Sequence, residues 1–309
     1  MTFKKDVISA RKTLEALVML FLILGFGLLL SARISEFIYD GFELAVKCVL
    51  PASLPFMIIS DFYIAYGRPE NISFIKRIFS VVLGIDHCGI APFICGNIGG
   101  FPIGAKMCSE CYLKGQLSRE DAERLLPLSS NPSCAFLIGG VGLGIYGDTR
   151  IGVLLLISVY GATLLCAIIT RRKTTKRDLI SHNVNYSYDF ISSVKNAAQS
   201  SVSIISFIAI FSAINGFIKM YVCSAPLVYL ISALLEVTNA VKIYSDQAYV
   251  SPCFSLIMTA FSLGFGGLCV GLQSAVFTSA AGLKMRKYYL VKLLEGILSA
   301  SIFSILYTI

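Results

Sequence analysis

Long apolar runs alternate with short polar clusters along the chain, and the runs have helical length. Thr13 to Ala32 is nearly all apolar, about 20 residues, enough to cross a bilayer core of roughly 30 Å. It predicts a retained anchor helix. The run is too long for a signal-peptide core, and Leu30 stands where cleavage after Ala32 would want a small residue. The next run, Phe42 to Tyr66, holds Pro51, Pro55 and Asp61. Its prolines remove backbone donors and predict a break. Cys88 to Leu113 contains CGIAPFICGNIGGFPIGAK. Its density of Gly and Pro predicts a re-entrant hairpin or a broken helix, tolerated at membrane depth only where it lines a cavity or packs on protein. Ser118 to Leu126 predicts a short amphipathic helix, capped by Ser118 with Asp121 and stopped by Pro127. Asn131 to Gly147 is apolar and Gly-rich, and Arg150 to Thr170 is a clear span.

The second half runs similarly. Ser200 to Phe217 is a span led by an amphipathic stretch from Tyr188. Ala225 to Val241 is another, with Glu236 inside it. Ser251 to Gly282 is Gly-rich and interrupted, and Tyr288 to Ile309 closes the chain. The pattern predicts an all-α polytopic membrane protein of about 7–9 transmembrane segments, two of them Gly/Pro-broken and re-entrant, in an internal two-fold repeat. Four regions follow: a tail and anchor (1–36), a first repeat half (37–170), a basic loop (171–187) and a second repeat half (188–309).

Composition narrows the class. Of 309 residues 56% are hydrophobic and 14% charged, with mean hydropathy +0.77. A soluble domain carries about 25% charged residues. Disorder, collagen-like repeats and almost any soluble enzyme are excluded. A β-barrel would need alternating segments of about ten residues. The balance of 26 Lys+Arg against 18 Asp+Glu gives a net charge of +8. The basic residues cluster between apolar runs, which reads as topology and not as nucleic-acid binding. Arg171, Arg172, Lys173, Lys176 and Arg177 place that loop in the cytoplasm, together with the N-terminus and its Lys4, Lys5, Arg11 and Lys12. The ten cysteines sit singly in apolar stretches and read as small apolar filler.

The most specific signal is internal. Aligning residue n with n + 167 pairs Gly99 with Gly266, Gly100 with Gly267, Gly104 with Gly271 and Gly115 with Gly282. The copies read GGFPIGAK and GGLCVGLQ, so Lys106 meets Gln273. Paired interruptions in two halves are the sequence pointer to a transporter's binding site, because backbone groups freed at a break can face a cavity. The basic residues beside both segments (Lys114, Arg119 and Arg124; Lys284, Arg286 and Lys287) put both mouths on the cytoplasmic side. An inverted repeat would need opposite sides.

The candidate solute site is therefore Asn97, Gly99, Gly100, Pro102, Gly104, Lys106, Asn131, Ser133, Gly266, Gly267 and Gln273. Lys106 would face an anion, or snorkel to the interface. Asn131 precedes Pro132 and could cap the following helix. Glu236, Asn239 and Asp61 are candidates for binding a coupling ion or for polar support, since an intramembrane carboxylate is costly unless it has a task. Asp61, nearer a span end, reads as interfacial. Gly142, Gly144 and Gly147 form a G-x-G-x-x-G, but within an apolar segment, so the dinucleotide reading fails its context. Cys108 and Cys111, with His87 and Cys95 nearby, lack a second ligand pair for zinc. His87 and His182 are the two histidines, and no catalytic constellation appears. The sequons at Asn71 and Asn185 are uninformative without a secretory context. The expectation is a carrier and not an enzyme, with no cofactor and no metal, whose partners are a small anionic solute and the lipid bilayer. Nothing in the sequence indicates an oligomeric state.

The stretch GGFPIGAKMCSECYLKGQLSREDAERLLPLSSNPSCAFLIGGVGLGIYG resembles the sporulation integral membrane proteins of endospore-forming bacteria, of the YlbJ and SpoVV type. So do LPASLPFMIIS, LLEVTN and GFGGLCVGLQ, which together reach from about Val49 to Leu294. The second copy departs from the expected pattern at Cys269 and at Gly271-Leu272, where Ser and His-Ala are expected before the Gln. The resemblance implies the nucleoside-recognition gate architecture and a role in spore formation, in the bacterial cell membrane or the outer forespore membrane. It also implies a solute, dipicolinic acid, a small planar dianion carried into the forespore. The alternatives are transport of a nucleoside or an ion, or a membrane scaffold that carries nothing.

Overall fold

A computed structural model describes residues 31–66, 79–85, 87–171, 189–222, 224–245 and 251–308. The predicted anchor helix, most of the basic loop, both sequons, His182 and the His87 side chain fall outside the described residues. No strand occurs among the described ones. The absence of polar alternation explains this, since a helix satisfies its own backbone while an open strand in lipid would not.

Helix α1 (Ser31–Leu44) runs through a π turn (Ala45–Val49) into α2 (Leu50–Tyr66). The predicted break at the prolines is corrected here. Leu50 N–H reaches back five residues to Ala45 O, so the wide turn just before Pro51 absorbs the missing donor, and Pro55 lies inside α2. A second π turn (Phe79–Leu83) precedes α3 (His87–Gly99) and α4 (Ile103–Leu113). The Gly-rich stretch is thus broken as predicted, with the interruption at Gly100–Pro102. Helix α5 (Arg119–Leu128) starts at Ser118, whose Oγ accepts the Asp121 N–H at 3.1 Å. It continues one residue beyond Pro127. Replacing Ser118 with Ala should lower the unfolding free energy by about 1 kcal/mol, read as a lower melting temperature in detergent micelles.

A π-helical segment (Phe136–Ile145) leads to α6 (Thr149–Ile169), which Asp148 caps. Gly142 packs on Gly152: a Cβ at Gly142 would lie 2.6 Å from the Gly152 Cα. The G-x-G-x-x-G glycine therefore serves close helix packing. Helix α7 (Phe190–Tyr221) joins the predicted amphipathic lead and the span into 32 residues. The segment from Ala225 to Val241 is not continuous. Glu236 is extended (φ −150°, ψ 122°) and divides it into α8 (Ala225–Leu235) and α9 (Val237–Ser245). Helices α10 (Pro252–Phe265) and α11 (Gly267–Ala280) meet at Gly266, and α12 (Arg286–Thr308) ends the chain.

Among the described residues, four helical stretches are long and apolar enough to cross a membrane: α6, α7, the α10–α11 pair and α12. The core follows from their packing. Helix α12 lies against α10, α6 and α5, while α11 touches α4, α7 and α8. At the offset of 167 residues two glycine pairs share a backbone conformation, while Gly266 (φ +81°) has no left-handed counterpart at Gly99. Gly100 and Gly267 have φ of +85° and +76°, Gly115 and Gly282 have +70° and +66°, and α5 and α12 begin at Arg119 and Arg286. Each pair needs a left-handed residue at the same point of its segment, which glycine adopts without steric cost.

Candidate functional site

The interruptions converge. One internal cavity of about 40 Å³ is lined by Gly99, Gly100 and Phe101 from the first break and by Glu236, Val237 and Thr238 from the second. Pro132 and Ser133, between α5 and the π segment, close a third side. Val270 and Gln273 of α11 form the fourth, and Ser53 and Ile208 complete it from α2 and α7. Gly266 lies beside it: a Cβ there would be 3.5 Å from the Phe101 ring. A water molecule needs about 10–15 Å³ of such space, so the cavity has room for a few waters but not for an organic solute.

Four helical starts surround this space. Helices α4, α9 and α11 and the turn after Ser133 all begin here. A helix start carries N–H groups without an intrahelical partner and partial positive charge; at α4 the Ile103 N–H is already taken by Gly100 O at 3.0 Å. Ser133 Oγ accepts the Phe136 N–H at 3.1 Å. The Glu236 carboxylate accepts from Thr238 N–H at 2.9 Å and Asn239 N–H at 2.7 Å. Glu236 is thus the cap of α9 and, among the described residues, the one charged residue lining the cavity. Helices α4 and α11, preceded by Pro102 and Gly266, have no side-chain cap. Asn239 contributes its main chain to the Glu236 cap, and its Oδ1 sits 3.5 Å from Ser212 Oγ.

Lys106 stands elsewhere. Its ammonium pairs with Asp61 and lies 3.4 Å from Met57 O, away from the cavity lining. The pair ties α4 to α2, so Asp61 and Lys106 serve each other. Gly104 supports the break from behind, packed on the Ser129 backbone, and Gly267 packs on the Leu235 carbonyl. Gln273 Nε2 contacts Cys269 Sγ at 3.3 Å.

Asn97 and Asn131 belong to a buried network behind the cavity wall. Asn131 Nδ2 donates to Asn97 Oδ1 at 2.9 Å, and Asn97 Nδ2 donates to Phe93 O and Leu128 O at 2.7 and 3.0 Å. Asn131 does not cap the next helix; Ser133 does. Tyr160 OH donates to Asn97 O. The centre of the network is Lys292 of α12. It donates to Ser130 O and Asn131 Oδ1, both at 2.8 Å, and to Glu295 Oε2 at 2.6 Å. Lys292 and Glu295 are both fully buried. Sequence reasoning missed this pair. Its signal was two opposite charges three apart in an apolar helix, the spacing that puts them on one face.

No family model matches the chain, and no solved structure matches it significantly. One curated protein does: the sporulation integral membrane protein YlbJ of Bacillus subtilis (strain 168), 25% identical over 337 aligned positions that cover 90% of this chain and 80% of that protein. With its spanning helices and this likeness, the chain is a multi-pass integral membrane protein similar to a sporulation integral membrane protein.

Proposed function

We propose that the protein carries a small organic anion across a membrane of the sporulating cell, dipicolinic acid being the solute, by alternating access at its paired broken helices. The two interrupted segments, around Gly100 and Gly267, are read as copies of one repeat. The observation that carries the proposal is the ring of helical starts around a single cavity. Glu236 already places a carboxylate on one of them, while α4 and α11 offer theirs without a side-chain cap. Helix N-termini at the breaks of a transporter hold anionic groups in this way. The dipicolinate assignment comes from the family resemblance. Lys106, engaged by Asp61, is not the anion's partner, so its replacement would report on stability. The small cavity corresponds to a closed state, and a solute enters when one half moves against the other.

Deleting the gene from the spore-forming host should lower spore dipicolinate several-fold, and the wild-type gene should restore it. Complementation with Gln273→Leu, inserted at normal levels, should restore much less. Normal dipicolinate in the deletion strain, with no second carrier present, would overturn the reading.

A further inference from the structure

A groove of about 770 Å³ adjoins the small cavity, and Phe136 and Thr238 line both. Three helical stripes wall it. Leu44, Lys47 and Pro51 come from the α1–α2 rod, at spacings of three and four residues. Gly139, Gly140 and Gly144 follow Phe136 along one face of the π segment, where they leave the wall without side chains. Thr238, Lys242 and Ser245 form one face of α9. The volume is in the range of small-molecule sites, about 300–1,000 Å³.

The charges say what fills the groove. Within α9, Lys242 is the one exposed residue; its neighbours Val241, Ile243 and Tyr244 are buried in protein. Lys47 and its partner Glu43 are exposed at the rim, and Glu43 is also within electrostatic reach of Lys242. Two lysines, Lys47 and Lys242, open to this one space, and in a membrane protein such charges would be very costly against acyl chains. The groove therefore holds water. Its charged lining residues are the two cations Lys47 and Lys242, with Glu43 paired to Lys47 outside the lining, so the groove is net positive.

We propose that this groove is the aqueous vestibule through which a small anion reaches the inner cavity, with Lys242 and Lys47 drawing the anion in and Phe136 with Thr238 forming the partition between the two spaces. The proposal rests on the transport reading for the word anion, but the groove's hydration and charge can be measured without transport.

Gly139 offers the probe, because a Cβ there meets nothing within 4 Å. Gly139→Cys in proteoliposomes is treated with a sulfonate-bearing and a trimethylammonium-bearing methanethiosulfonate, and labelling is measured against the chain without the added cysteine. Both reagents should react, and the anionic-to-cationic rate ratio should fall about two- to threefold on Lys242→Gln, the effect of one partly screened charge a few ångströms away. Adding Lys47→Gln should lower it further. Reaction only with a membrane-permeant maleimide would show a groove filled by lipid and overturn the proposal, as would a ratio that Lys242→Gln leaves unchanged. Expected labelling in a protein that carries no dipicolinate would uphold the vestibule and sink the solute assignment. Dipicolinate flux with no labelling would place the entrance elsewhere.

Discussion

Replacing Lys292 with methionine should cost about 3–5 kcal/mol of stability, the penalty for breaking a buried ion pair from one side. The substitution keeps the side chain's length and removes its charge. It leaves Glu295 Oε2, Asn131 Oδ1 and Ser130 O without the donor that now reaches all three at 2.6–2.8 Å. Glu295 Oε1 already has no protein hydrogen-bond partner among the described residues. The double variant Lys292→Met with Glu295→Leu should recover a large part of the loss, because no buried charge remains. A residue of about 1–3 kcal/mol should persist from the orphaned Ser130 and Asn131 oxygens. Thermal unfolding of the purified protein in detergent checks this as a double-mutant cycle. Additive single effects, or a Lys292→Met cost below about 1 kcal/mol, would remove the pair from its central place.

The second large effect is expected at Gly104. A Cβ there would sit 1.9 Å from Ser129 O and 2.5 Å from Ser129 C, both backbone atoms, which have no rotamer to yield. Gly96, one helix earlier, would meet the same carbonyl at 2.2 Å and the Gly104 Cα at 2.7 Å. Helices α3 and α4 and the end of α5 therefore touch backbone to backbone, which small residues alone permit. Gly104→Ala should destabilise by about 3 kcal/mol or more, at or above the upper end of ordinary overpacking. Gly139→Ala is the control. Its Cβ meets nothing, so it should be neutral or slightly stabilising, since alanine favours a helix over glycine by up to about 1 kcal/mol. Comparable losses at both positions would show that the crossing is looser than the structure has it.

How much of this could be read from residues alone depends on whether the signal was local. The breaks at Gly100 and Gly266 were legible because glycine and proline density is a local property of the backbone. The cap at Ser118 was legible for the same reason. The break at Glu236 was not, since glutamate is a good helix former and a poor cap by composition; its role follows from two N–H groups that point at it in the folded chain. Pro51 misled in the other direction, because a π turn supplied the missing slack. Lys106 looked like a site cation for want of its partner, and Asp61 lies 45 residues away in the sequence. Lys292 carried a readable spacing with Glu295, but its other two partners sit in the first half of the chain, and only folding reveals that it links the halves.

The central claim is that the interrupted segments from the two halves form one solute site. Uptake of labelled dipicolinate into proteoliposomes tests it most directly, with wild type set beside Gln273→Leu and Ser133→Val, each shown to be folded by its melting curve. Saturable uptake by the wild type, reduced at least tenfold in a variant from either half, is the predicted result. Equal uptake by all three, or none by a well-folded wild type, would contradict it.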